Sequence, residues 1–228
     1  MRPRMWFTCS LLAALSVVAA PVLHGQTRAT EPSVPATTLS PRLRAAIDRL
    51  ADSARALGVP AEPLYLKAAE GALKGADDDR VVVVVGRMLA ELGEARRGLG
   101  NEATSAELMA GASVVHAGLD AAVLQRIRAA RPGARAENAL VMPLVVLADL
   151  VARHVTPGVA TGSVIALAQR GAADAEFADL RTVVEREIQL GQPPDAATRA
   201  RTASILTGIS GDVRPERRAA PPDPVSRP

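Results

Sequence analysis

The chain is poor in the side chains that most binding and catalytic sites are built from. Aromatic residues make up 2% of it, with one Trp, one Tyr and two Phe. It has three histidines, and Cys9 is its one cysteine. The only lysines are Lys67 and Lys74, in a total of 27 Lys and Arg. Scarce aromatics argue against single-stranded nucleic acid, whose bases stack on such rings. A single cysteine excludes an internal disulfide and leaves no cysteine-rich zinc site. Any core must therefore be aliphatic, built from Leu, Val, Ile, Met and abundant Ala.

The first 25 residues read as a secretory signal peptide. Arg2 and Arg4 give a positive start, Met5 to Leu23 is mostly apolar, and Gly25 supplies a small residue at a cleavage point. The alternative is an uncleaved N-terminal membrane anchor, which Thr8, Ser10, Ser16 and Pro21 argue against. Cys9 lies inside the apolar run, whereas a lipid-modified cysteine follows one. Cleavage near Gln26 leaves 25 basic residues against 24 acidic ones, with the two signs interleaved rather than gathered on one basic face, which argues against a nucleic-acid partner. The expected destination is the periplasm or the exterior.

Residues 26–40 are polar, carry Pro32 and Pro35, and read as a flexible linker. Ser40-Pro41 then forms a helix start, and Leu43, Ile47, Leu50, Ala54 and Leu57 mark one apolar face up to Gly58. Thr104 and Glu107 have the spacing of a capping box, with Gly118 ending that helix. Similar patterns predict short helices near 61–74, 120–130, 161–170 and 195–206, and longer ones near 78–97, 138–154 and 175–190. From residue 208 the chain becomes rich in Arg and Pro and is expected to be disordered through 228. The fold class is thus all-α, eight to nine helices over residues 41–207.

The helices recur. A shift of 100 residues places Gly58-Val59 on Gly158-Val159, Gly71-Ala72 on Gly171-Ala172 and Val83-Val84 on Val183-Val184. A shift of 60 places Gly58-Val59 on Gly118-Leu119 and Leu64 on Leu124; two inserted residues then bring Gly71-Ala72 onto Gly133-Ala134. Three degenerate two-helix units that cover one another's apolar faces explain this pattern as stacked helical hairpins. The repeat also settles Val81 to Val85. Five β-branched residues favour a strand by propensity, but no second strand exists to pair with them, so they are assigned to a helix. Val141 to Val151 is the most apolar segment and should be the central helix.

No constellation carries recognisable chemistry, so no catalytic, cofactor-binding or metal-binding residue is assigned. His116 and His154 fall at predicted helix ends, where imidazole meets the negative end of the dipole, and neither has a ligand partner at helical spacing. Ser113 and His116 lie three apart on one helix face and are expected to lack an orienting acid nearby. Asp77-Asp78-Asp79 precedes a helix and reads as a cap rather than a cation loop. Neither a phosphate loop nor a nucleophile elbow is present.

With its Gly58-Val59-Pro60…Leu64…Glu70-Gly71 unit, the chain resembles exported all-α proteins of GC-rich bacteria built from Gly-Val/Leu-Pro helical units. Later copies depart from it, with Asp120 or Ala160 in place of Pro60. That resemblance carries no established activity and implies architecture only. The expectation is a non-enzymatic exported protein with an interaction or structural role toward an envelope protein or polymer. A helical protein at a membrane surface and an enzyme of unfamiliar motif are the alternatives.

Overall fold

A computed structural model describes residues 39–131 and 138–211. Among them are nine helices and no strand: α1 Pro41–Ala56, α2 Glu62–Leu73, α3 Asp78–Leu99, α4 Ser105–His116, α5 Ala121–Ala130, α6 Val141–Ala152, α7 Pro157–Gln169, α8 Asp174–Gln189 and α9 Pro194–Gly211. No helix among the described residues is long and apolar enough to cross a membrane.

The helices stack in two layers. In one, α1 packs on α3, α3 on α5, α5 on α7 and α7 on α9; in the other, α4 packs on α6 and α6 on α8. α2 packs on α1 and α3. Between the layers lies one aliphatic core, with Leu64, Leu92, Leu124, Leu144, Leu147 and Leu167 fully buried and Phe177 its one buried ring. Val141 to Val151 fills its centre, packing on α4, α7 and α8.

Alternate helices are joined start to start. The Ser40 hydroxyl, at the N-cap of α1, donates to Asp78 Oδ2 in α3 at 2.6 Å. Leu140 N–H, at the N-cap of α6, donates to Glu107 of α4 at 3.1 Å. Thr156, at the N-cap of α7, donates from N–H and Oγ1 to Asp195 of α9 at 2.8 and 3.0 Å. The Leu140 and Thr156 amides thereby gain an acceptor from the helix two away, and the Ser40 hydroxyl ties the cap of α1 to the start of α3. Stacking and capping are thus one device.

The corners share a backbone motif. Gly58, Gly75, Gly118, Gly171 and Gly191 take positive φ, from 67 to 92°. The following amide reaches back five residues: Val59 to Ala54, Leu119 to Val114 and Ala172 to Leu167, at 3.0, 3.3 and 3.1 Å. This Schellman closure satisfies the last carbonyls and turns an apolar residue inward, so that Val59, Leu119 and Ala172 are buried.

Val81 to Val85 is helical. Val81 and Val85 are buried while Val83 is 65% exposed; a strand would place all three on one face. Three expectations need correction. Gly158 lies inside α7, so the 100-residue register fails: His154 is the counterpart of Gly58, Gly171 that of Gly75, and Asp174 that of Asp78, a spacing of 96. The discrepancy of four residues is about one helical turn, so Leu64 with Val164 and Ala68 with Ala168 still pair buried positions, whereas Val83-Val84 on Val183-Val184 does not, Val84 being 43% exposed and Val184 buried. The 60-residue register holds for Gly58 with Gly118 and for Leu64 with Leu124, whereas Gly133-Ala134 lies outside the described residues. α7 starts at Pro157 rather than 161, because Pro occupies its first position. α9 runs through Gly208 to Gly211, since Ile209 beyond that glycine still packs against the core. The rest of the tail lies outside the described residues, as do the leader and nearly all of the linker.

Candidate functional site

The residues singled out in the sequence do not assemble into a catalytic centre. His116 ends α4, and its Nδ1 lies 2.8 Å from Glu91 Oε1 of α3. An acid does therefore orient this imidazole, contrary to expectation, supplied by a residue 25 positions away. Ser113, one turn earlier, directs its hydroxyl at its own helix, donating to the Met109 carbonyl at 3.2 Å. His154 is not in the last turn of α6. It lies two residues past Ala152 with φ 66°, filling the left-handed corner position that glycine fills elsewhere.

The three consecutive aspartates are all spoken for. Asp77 caps α3 by accepting from Arg80 N–H at 2.9 Å, Asp78 accepts from Ser40, and Asp79 pairs with Arg42 at 3.0 Å. Among the described residues no three His, Cys, Asp or Glu side chains gather closely enough to hold a metal ion.

One surface stands apart. Six large apolar residues are exposed among the described ones, and five of them, Leu57, Leu66, Leu73, Val83 and Val84, fall in the span 57–84. Leu66 and Leu73 are seven residues apart on α2, hence on one face, and are 45% and 76% exposed. Beside them a hollow of about 140 Å³ opens between α2 and α3. Gly71, Ala76, Val81 and Val84 form its walls, and α2 comes so close to α3 there that a Cβ on Gly71 would sit 2.8 Å from Val81 Cγ2.

The rim is charged. Both lysines of the chain stand on it with Glu70 between them: Glu70 Oε2 pairs with Lys67 at 2.9 Å, and Oε1 pairs with Lys74. Hydrogen bonds from Lys74 and Lys67 pull the Glu70 carboxyl down to about 2. Arg80 completes the rim. Its guanidinium has no carboxylate partner among the described residues, so three cations face one anion.

Two other grooves lack such a surplus. Beside α3, Gly86, Ala90 and Gly93 line a groove with Leu57 at its edge, but Arg97 is tied to Glu94 and Arg96 to the Asn101 carbonyl. Between α8 and α9, Arg201 is held by Asp179. The sequence did hold a sign of the α2 surface: Leu66 and Leu73 form a second apolar stripe beside the buried one of Leu64 and Ala68, and the only lysines frame it. No family model, curated protein or solved structure matches the chain.

Proposed function

We propose that this is an exported, non-enzymatic helical protein whose α2–α3 surface docks another component of the cell envelope. The observation that carries this is the pairing of exposed Leu66 and Leu73 on one face of α2 with a hollow that half-exposed Val84 helps to line and both lysines rim. Exposed apolar residues scattered singly are ordinary, but a grouped set rimmed by charge marks an interaction face. α2 supports the reading, because it packs on α1 and α3 and so leaves its outer face to a partner. Export rests on the charged, apolar and small-residue order of residues 1–25.

Retention on isolated envelopes tests the docking role. The Leu66→Gln/Leu73→Gln chain should wash off while melting like the parent; equal retention of both would overturn the proposal. N-terminal mass spectrometry of the envelope-bound chain should find a start near Gln26, and recovery of peptides from Met1 to Leu23 would refute processing.

A further inference from the structure

We infer that the hollow between α2 and α3 receives an acidic peptide segment of a partner protein, seating a carboxylate among Lys67, Lys74 and Arg80 and a neighbouring apolar side chain against Val84. The inference rests on the docking role above and adds the chemistry of the partner. Glu70 splits its two oxygens between Lys67 and Lys74, so neither ammonium is saturated: each has three donors and one carboxylate oxygen. Arg80 lines the same hollow, with its backbone N–H given to Asp77 and its guanidinium available. An incoming carboxylate thus meets a net charge of two on the rim and finds charge-assisted donors on both sides.

The walls select further. Val81 is buried and Val84 is 43% exposed, so the hollow offers apolar surface directly beneath the charged rim. A ligand that satisfies both needs an acid next to a small or branched apolar residue. A second copy of this chain would bring one basic rim against another, which charge complementarity disfavours. A lipid surface would meet a concave site with no Trp or Tyr lining it. The use of lysine fits as well. Its compact charge on a flexible stem can be shared between Glu70 and a ligand, whereas a bidentate arginine would lock onto Glu70.

Fluorescence anisotropy with a labelled Glu-Leu repeat peptide tests this on the full processed chain, at low and high salt. Peptides of Gln-Leu and Lys-Leu repeats and vesicles containing anionic phosphatidylglycerol serve as comparisons. Binding of the Glu-Leu peptide should be salt-sensitive, about tenfold weaker or more in Lys67→Gln/Lys74→Gln, and tighter in Glu70→Gln, which frees both lysines. Circular dichroism melts of the three chains confirm folding. Equal binding of Glu-Leu and Gln-Leu peptides, unchanged affinity in the lysine variant, or binding to vesicles alone would overturn the inference, as would a protein that dimerises through this face by sedimentation. If Leu66→Gln/Leu73→Gln loses envelope retention while the Glu-Leu peptide never binds, the docking role stands and this partner chemistry falls.

Discussion

Glu107 of α4 accepts the Leu140 N–H at the start of α6, Oε1 to N 3.1 Å, while its Oε2 accepts the Thr104 N–H at the same distance. One carboxylate, 6% exposed, therefore closes the N-termini of two stacked helices. Thr104 adds a third tie, its hydroxyl lying 2.7 Å from Asn138 Oδ1. Negative charge at two positive helix ends is favourable, and both amides would otherwise be orphaned.

Glu107→Ala should consequently destabilise the fold by about 2–4 kcal/mol, the sum of a lost cap and an unsatisfied buried amide. Glu107→Gln keeps one carbonyl acceptor and should lose roughly half as much. Urea denaturation followed by circular dichroism measures both. A loss no larger than that of an exposed Glu→Ala would show that water replaces the carboxylate at Leu140.

His154 should respond in the opposite direction. A side chain at φ 66° costs about 1–2 kcal/mol relative to the right-handed region, so His154→Gly should stabilise the fold by about 0.5–1 kcal/mol after the glycine's extra unfolded-state freedom is deducted. His154→Gln should change little, and His116→Gln should cost at most about 1 kcal/mol, because the imidazole that pairs with Glu91 is itself exposed. The double Gln chain should still be retained on envelopes. A drop in melting temperature for His154→Gly would mean that the imidazole contributes more than the strain removes.

Two glycines of α3 should diverge. A Cβ on Gly98 would lie 2.7 Å from Leu124 Cβ and 2.8 Å from the Ala121 carbonyl oxygen, where backbone must move. Gly98→Ala is expected to cost about 1–3 kcal/mol, as other overpacked cores do. Gly86 meets nothing within 4 Å, so Gly86→Ala should gain about 0.5–1 kcal/mol from helix propensity. Equal effects at the two sites would contradict the close contact of α3 with α5.

Much of the fold was legible because its signals are local. The Ser40-Pro41 start, the Thr104–Glu107 box and the stops at Gly58 and Gly118 each lie within a few residues, and each took its expected place. What escaped the sequence depends on distance along the chain. Nothing in residues 104–107 says that Glu107 will reach Leu140, or that Glu91 will meet His116. His154 hid the third corner, because a pattern search looks for glycine there and finds Gly158 one turn on. The α2 surface was half legible: Lys67, Glu70 and Lys74 show helix-surface spacing, but only the approach of Val81 to Gly71 turns that spacing into the rim of a hollow.

The Lys67–Glu70–Lys74 trio also predicts a pH dependence. Hydrogen bonds from Lys74 and then Lys67 lower the folded-state carboxyl from 4.5 to about 2. A group whose pKa falls on folding contributes stability above its unfolded pKa and loses that contribution as pH drops through its folded one. The melting temperature of the parent should therefore exceed that of Lys67→Gln/Lys74→Gln by a margin that is steady from pH 7 down to about 5. The margin should then shrink as the pH falls toward and below about 2, where Glu70 becomes protonated in the folded state as well. Because all three side chains are solvent-exposed to a large degree, high salt should reduce the margin at neutral pH as well. Thermal melts of the two chains across that range, at two ionic strengths, read it directly. A margin that persists undiminished at the acid end would mean that the lysines stabilise α2 through their aliphatic stems rather than through Glu70.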